Sequence, residues 1–271
     1  MTSSTVLNAA LHIPDVTPAE AETLAQTELR RLLALLESLD EADWLKPTAC
    51  TEWNVRDMTA HQAGAYASGT GYPELIHQYM VALKPGQVAE DAINKRQLAD
   101  RAAKSPAELI AEIKQDGDKA VHNWAYSFRL LKPLGTPHPA VGWLGMRYLM
   151  LVIHSRDTWI HRLDICRATG RPFEQSRRHD GRINELVVRD LARSLQRKLD
   201  RNAIALELEG IAGGRWRIGD GDPAATIRMD TLDFNIYASG RFAYEEAASR
   251  ATFSGDLAHA ERAFRNFGVL Y

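Results

Sequence analysis

The chain has 271 residues, 45% hydrophobic and 25% charged, with a formal net charge of −2. That composition predicts an ordinary soluble globular protein with room for two small domains. It excludes a general electrostatic attraction to nucleic acid or an anionic membrane surface, and no apolar run reaches the length of about eighteen residues that a membrane span needs.

In chain order, the start MTSSTVLNAALHIPDV lacks a basic segment ahead of an apolar core, so no signal peptide is expected and the expected address is the cytoplasm. Residues 1–16 read as a loose arm. Thr17-Pro-Ala-Glu20 supplies an N-cap, a proline at the first helical position and a glutamate that can close a capping box. Leu24, Leu29, Leu32, Leu33, Leu35 and Leu36 then recur at helical spacing, predicting a helix over 18–39. Asn54-Val-Arg-Asp57 repeats the cap and opens a helix near 55–67. Its continuation over 73–83 is expected to be bent or broken at Gly69, Gly71 and Pro73.

Ser105-Pro-Ala-Glu108 opens a third helix over 106–128, closed by the loop LKPLGTPHPAVG at 131–142. A fourth helix is expected over 143–168, ending before Thr169-Gly170-Arg-Pro172. Four such helices predict an antiparallel bundle. After a polar linker at 171–180 come a helix at 180–200 and short alternating segments at 203–210, 214–221 and 225–230. These read as an antiparallel meander. A helix at 231–239, a strand at 251–256 and a helix at 257–267 complete an α+β second half. The two cysteines, Cys50 and Cys166, cannot make a disulfide framework and are expected to be reduced, mostly buried thiols.

The fourth helix carries HSRDTWIHRLD at 154–164. At about 100° per residue, Asp157 and His161 share one face, with His154 on the same stripe and Asp164 nearby. Two metal ligands on one helix need that spacing. A third ligand must come from another element, and His61 in NVRDMTAHQAG points inward with Val55 and Met58. An i, i+4 Asp–His pair also serves as a plain hydrogen bond or ion pair, and Asp57 could partner His61. Spacing alone leaves both readings open.

Two segments resemble the mycothiol-dependent enzymes of the maleylpyruvate isomerase family: TACTEWNVRDMTAHQAG (48–64) and DTWIHRLDICRATG (157–170). The segments GRWRIGDGDPAATIRMD, ASGR (238–241) and FSGD (253–256) resemble the sterol-carrier-like domain that follows. The resemblance implies a DinB-like four-helix metal-binding domain over 1–170 and an α+β sterol-carrier-like domain with an antiparallel sheet over 171–271. It implies one divalent ion, taken as zinc, on His61, Asp157 and His161. Aspartate stands at 157 where the family has glutamate. Being one methylene shorter, it could reach the ion only through water, with His154 as a substitute ligand. The family also uses an arginine for the thiol or an acidic substrate. Arg96 and Arg101 in NKRQLADRA lie in the right region, and solvated helix-face charges are their alternative reading. Trp53 and Trp159 could line a pocket or pack in the core. Arg56 and Asp57 read as helix-start residues, and Asp164 as an outer support for His161.

The implied chemistry is that mycothiol, held through sulfur at the metal, attacks an electrophilic small molecule. The product is an S-conjugate, or an isomer if the thiol leaves again. An S-transferase is favoured because no secure anion clamp can be placed. No protein cysteine is needed, no nucleic acid or membrane partner is expected, and the chain is expected to act as a monomer or homodimer. Two rivals stay open: a metal-stabilised ligand-binding module without turnover, and a bundle whose histidines are merely hydrogen-bonded.

Overall fold

The structure, a computed structural model, describes residues 7–80, 89–138, 142–196, 198 and 202–271. Parts of four expectations fall outside those residues: 1–6 of the arm, 81–83 of the second helix's continuation, 139–141 of the loop, and 197 with 199–200 of the helix opening the second half. The chain packs as two units. One comprises Val16–Pro137 and Trp143–Glu174. The other comprises the arm ending at Asp15, His138–Gly142 and Gln175–Tyr271.

In the arm, Asn8–Ala9 form a short strand, β1. Helices α1 (Pro18–Glu37) and α2 (Val55–Ser68) start on the expected caps: Thr17 Oγ1 accepts from Glu20 N at 3.2 Å, and Asn54 Oδ1 accepts from Asp57 N at 2.9 Å. The break after α2 is where the glycines put it, and α3 (Tyr72–Tyr79) follows with its proline in the first turn. Periodicity gave no bounds for α4 (Ala89–Asp100), although helix-face charges were one reading of Arg96 and Arg101; its apolar positions form no stripe, so period counting passes over it. The helix α5 (Pro106–Tyr126) begins on the reciprocal Ser105–Glu108 capping box.

The fourth helix differs from its expectation at the start. Residues 143–145 belong to β3 (Gly142–Gly145), which pairs with β2 (Gly135–His138). Then come α6 (Met146–Tyr148), a π-helical turn at Leu149–Ile153, and α7 (His154–Thr169). A π turn spends an extra residue per hydrogen-bonded loop and so rotates the side chains that follow it. Gly170, at φ 74°, closes α7 in the left-handed conformation that suits glycine at a helix end. Leu29, Leu32 and Leu36 of α1, Met58 of α2, Leu109, Ile113 and Trp124 of α5 and Ile165 of α7 share one buried core.

The second unit holds α8 (Asp180–Leu195), β4 (Ala203–Glu209), β5 (Gly214–Ile218), β6 (Pro223–Asp230), α9 (Thr231–Ala238), α10 (Tyr244–Ser249), β7 (Thr252–Gly255) and α11 (Leu257–Phe264). Its sheet order is β1-β5-β4-β6-β7. The expected antiparallel meander is corrected here, because the sheet is mixed: β6 lies parallel to β4, with Leu206 opposite Ile227. After β5 the chain crosses the start of β4 instead of turning back beside β5. Gly219 makes this passage possible. Its φ is 97°, and a Cβ there would stand 3.0 Å from Ala203 Cα.

The arm is likewise not loose throughout. β1 lies parallel on β5, and buried Arg189 donates to Pro14 O at 3.0 Å and to Asp15 Oδ1 at 2.7 Å. Among the described residues, no helix is long and apolar enough to cross a membrane.

Candidate metal centre

Helix α7 is polar in composition yet buried: Ser155, Arg156, Thr158, His161, Arg162 and Asp164 are each less than a tenth exposed. Buried polar and charged groups must find partners inside the protein: Arg156 donates to Tyr148 Oη at 3.1 Å, and two further sets of contacts reach α1 and α2. Arg162 meets Glu28 of α1, its Nε 2.9 Å from Oε2. Asp157 and His161 meet α2.

The geometry is compact. Asp157 Oδ1 lies 3.3 Å from His161 Nε2 and 3.5 Å from His61 Nε2. One donor atom from each of the three residues can be chosen so that all lie within 4.8 Å of one another. The two imidazole centroids are 5.1 Å apart with the rings nearly perpendicular. Each ring is anchored by its other nitrogen, His61 Nδ1 at 2.8 Å from Gln97 Oε1 and His161 Nδ1 at 3.2 Å from Asp164 Oδ2. Outer partners of this kind fix a ligating imidazole's orientation. The Trp53 ring stands 5.0 Å from the His61 ring and 6.0 Å from the His161 ring.

The electrostatics of the cluster favour positive charge between these groups. Burial pushes the Asp157 carboxyl up, but the facing His161 and His61 rings overcome it and hold it well below the usual carboxylate range. Burial pushes His161 down, but the Asp157 charge, followed by the hydrogen bonds that the ring donates to Asp157, Asp164 and Cys50, raises it well above the usual imidazole value. Two Nε2 atoms crowding one carboxylate call for positive charge between them, supplied by a proton or by a metal ion. Two imidazoles and a carboxylate are donors that zinc and similar divalent ions accept, and three protein ligands leave a coordination position open. The residues present fit such an ion.

The other expected residues divide. Trp53 is at the site. His154 is not among the converging donors; its ring lies flat on Trp124, centroids 4.1 Å apart at 7°. Arg101 is buried and tied to Glu112 at 2.6 Å, while Arg96 reaches Asp100 at 3.3 Å and His77 at 3.2 Å. Trp159 is fully buried against Phe173 in the core, and Arg56 donates to the carbonyls of Arg101, Ala102 and Lys104. Asp57 completes the α2 cap.

Three contributors were missed by sequence reasoning. Gln62, fully buried, donates its Nε2 to Asp157 Oδ2 at 2.6 Å. Gln97 holds His61 from α4. Cys50, half-buried, joins His161 and Asp164 in a second group of donors within 4.8 Å of one another. Adjacency to His61 could have flagged Gln62. An amide on a helix without an apolar stripe, and a cysteine in a loop, carry no such signal.

His154 makes the fold sensitive to acid. Burial pushes its pKa down to about 4, outweighing the nearby Asp157. Between about pH 6.5 and 4 the unfolded chain binds a proton that native His154 refuses, so stability falls as pH falls through that window, by up to about 3 kcal/mol. The expected result is that His154→Phe, which keeps the stacking on Trp124, flattens the pH dependence of the urea midpoint over this range. An unchanged slope would assign the acid loss to other groups.

The description "mycothiol maleylpyruvate isomerase N-terminal domain" belongs to the family model that matches residues 25–166. Two solved structures match along most of the chain. The crystal structure of the mycothiol-dependent maleylpyruvate isomerase has 16% identity and a TM-score of 0.58, with 89% of this chain and 94% of that one covered. A histidine-to-alanine mutant of that enzyme gives 15% identity and a TM-score of 0.57 over the same shares. At such identity the two structures establish a shared fold. No curated protein matches significantly. The family match takes in both helices that carry the converging side chains, up to residue 166 of α7, and more than half of the 271 residues: the chain belongs to the mycothiol maleylpyruvate isomerase N-terminal domain family.

Proposed function

We propose that this protein is a metal-dependent mycothiol S-transferase. In this reading His61, Asp157 and His161 hold a divalent ion, zinc, and the sulfur of mycothiol is delivered there to an electrophilic carbon of a second small molecule. The observation that carries it is the meeting of two imidazole Nε2 atoms with one carboxylate from two different helices. Family membership supports the thiol, since the solved relatives are described as mycothiol-dependent. When bound, the ion would favour the thiolate over the thiol, whose free pKa is about 8.5.

The chain's own residues supply the rest. Gln62 holds the Asp157 carboxylate in place, Asp164 orients His161, and Trp53 lies against both rings and keeps water from that side. The second unit, read as sterol-carrier-like, is proposed to contribute to substrate selection.

An isomerase performs the same addition and then the reverse elimination: the C–S bond forms as a C=C bond is lost, and its cleavage restores the double bond in the other geometry. The names of the two solved relatives favour that second reading. The commitments of Arg96 to Asp100 and of Arg101 to Glu112 favour transfer, because they withdraw the two arginines considered for an anion clamp. Product mass separates the two. With mycothiol and a panel of electrophiles, a transferase consumes thiol and yields the summed mass where the thiol adds to a double bond or opens a ring, or the summed mass less the leaving group and its proton where it displaces one. An isomerase converts maleylpyruvate without change of mass and returns the thiol. If neither is observed with zinc-loaded protein, the proposal fails.

A further inference from the structure

The proton on His61 is decided two side chains away from the centre. His61 Nδ1 lies 2.8 Å from Gln97 Oε1, and Gln97 Nε2 donates to Gln78 Oε1 at 2.8 Å. Gln78 Nε2 in turn donates to Gly64 O at 2.9 Å and to Glu74 Oε1 at 2.8 Å. Gln97 and Gln78 are buried, so each lost partner would leave an unpaired polar atom away from water.

An amide's two ends are assigned by what they meet, and this chain leaves one assignment. It ends on a backbone carbonyl and a carboxylate, which only accept. Gln78 must turn its NH2 to them, with one hydrogen for each. Its oxygen then faces α4 and needs a donor, which among the described residues the NH2 of Gln97 supplies. Gln97 must therefore present its oxygen to His61, and only an N–H can meet it. A proton therefore sits on Nδ1, and Nε2, the atom facing Asp157, is the nitrogen left for an ion.

A second observation shows how closely the helices come together here. Gly64 follows His61 by three residues on α2, and a Cβ at position 64 would stand 2.5 Å from Gln97 Cγ and 2.6 Å from Gln97 Cβ. Helix α4 reaches His61 because that position is glycine. In the sequence Gln97 lies between Arg96 and Arg101, and the neutral amide is the one of the three that touches the centre.

We propose that Gln97, Gln78 and Glu74 are positioning residues forming a tautomer lock on His61, so that α3 and α4 decide whether the histidine of α2 can act as a ligand. A free neutral imidazole prefers its proton on Nε2, and the lock reverses that preference. The value of the lock rests on His61 being a ligand, but the tautomer is measurable without any ion.

The test is long-range ¹H–¹⁵N NMR of the full-length, metal-stripped protein in alkaline buffer, with zinc titration as a second readout. The expected spectrum shows a proton on His61 Nδ1. Gln78→Met, which does not touch the ring, should free Gln97 to turn over. Part of the His61 population then shifts to Nε2–H, and zinc affinity falls about 10-fold, in the range seen when an outer partner of a ligand is lost. Adding Gln97→Glu to that variant should restore Nδ1–H, because a carboxylate accepts in either orientation.

A His61 Nδ1 that carries no proton in the unaltered protein overturns the proposal and needs no variant that must fold. So does a folded Gln78→Met protein that keeps a single Nδ1–H form. Nδ1–H in a protein that binds no zinc upholds the lock and removes the metal reading alone.

Discussion

His61→Ala is expected to leave the purified protein without stoichiometric divalent metal and to lower thiol transfer at least about 100-fold. Without the ion a thiol of ordinary pKa is only a few per cent thiolate at pH 7, a loss of about 30-fold. The loss of a fixed position for the sulfur adds to it. His161→Ala should do the same, since its Nε2 faces the same carboxylate oxygen. His154→Ala should keep the metal, because that ring is stacked on Trp124 and its donors are not among the converging ones. Elemental analysis of the three variants beside the unaltered protein makes the comparison. Equal metal content in the unaltered and His61→Ala proteins would leave only a hydrogen-bonded cluster. Asp157→Glu is informative beside them: it restores the longer carboxylate usual in the family that the sequence resembles, and retention of metal would show that the α2–α7 gap tolerates both reaches.

Arg162→Leu is expected to be the most destabilising single change in the first unit, at about 3–5 kcal/mol. Arg162 is 2% exposed and Glu28 is fully buried, and the guanidinium reaches both carboxylate oxygens, at 2.9 and 3.2 Å. Its flat face also covers the Phe173 ring at 4.0 Å. Removing it takes away the fork that holds a buried carboxylate, with Arg31 at 3.8 Å among the neighbours that remain. For a unit of this size the loss corresponds to roughly 10 °C in the melting midpoint. The double variant Glu28→Leu with Arg162→Leu should recover most of it, because apolar side chains of similar volume replace a buried ion pair at little cost. A small loss for the single variant, with no recovery in the double, would mean that the pair contributes little. This ion pair also answers in part why α7 is so polar: one of its faces binds α1 through charge, and another serves the candidate centre.

Much of the first unit was legible in the sequence because its signals are local. A cap and its acceptor lie three residues apart, so Thr17 with Glu20, Asn54 with Asp57 and Ser105 with Glu108 announce α1, α2 and α5 without reference to the rest of the chain. The placing of Asp157 and His161 on one face needs only the pitch of a helix. What was misread depends on partners that sequence distance hides. Arg96 and Arg101 looked like candidates for binding because charge is visible in a sequence, yet their charges are taken up by Asp100 and Glu112. Gln97, neutral and between them, makes the contact that matters. In the second unit the alternation located β4, β5 and β6 but not their order. Alternation reports which face of a strand is buried and says nothing about which neighbour it pairs with.

The sequence by itself determined where the long helices begin, which residues form the core stripe of α1, and that a carboxylate and an imidazole share one side of α7. The tertiary structure alone decided that His61 meets that pair across 96 residues of chain, that a glutamine of α4 orients it, and that β6 crosses to the far side of β4. The physical reason is the same in each case. Helix starts and helix faces are set by hydrogen bonds and rotations within one or two turns. Convergence is set by how closely helices and strands can pack, and here by glycines at 64 and 219 that leave room for another segment to approach.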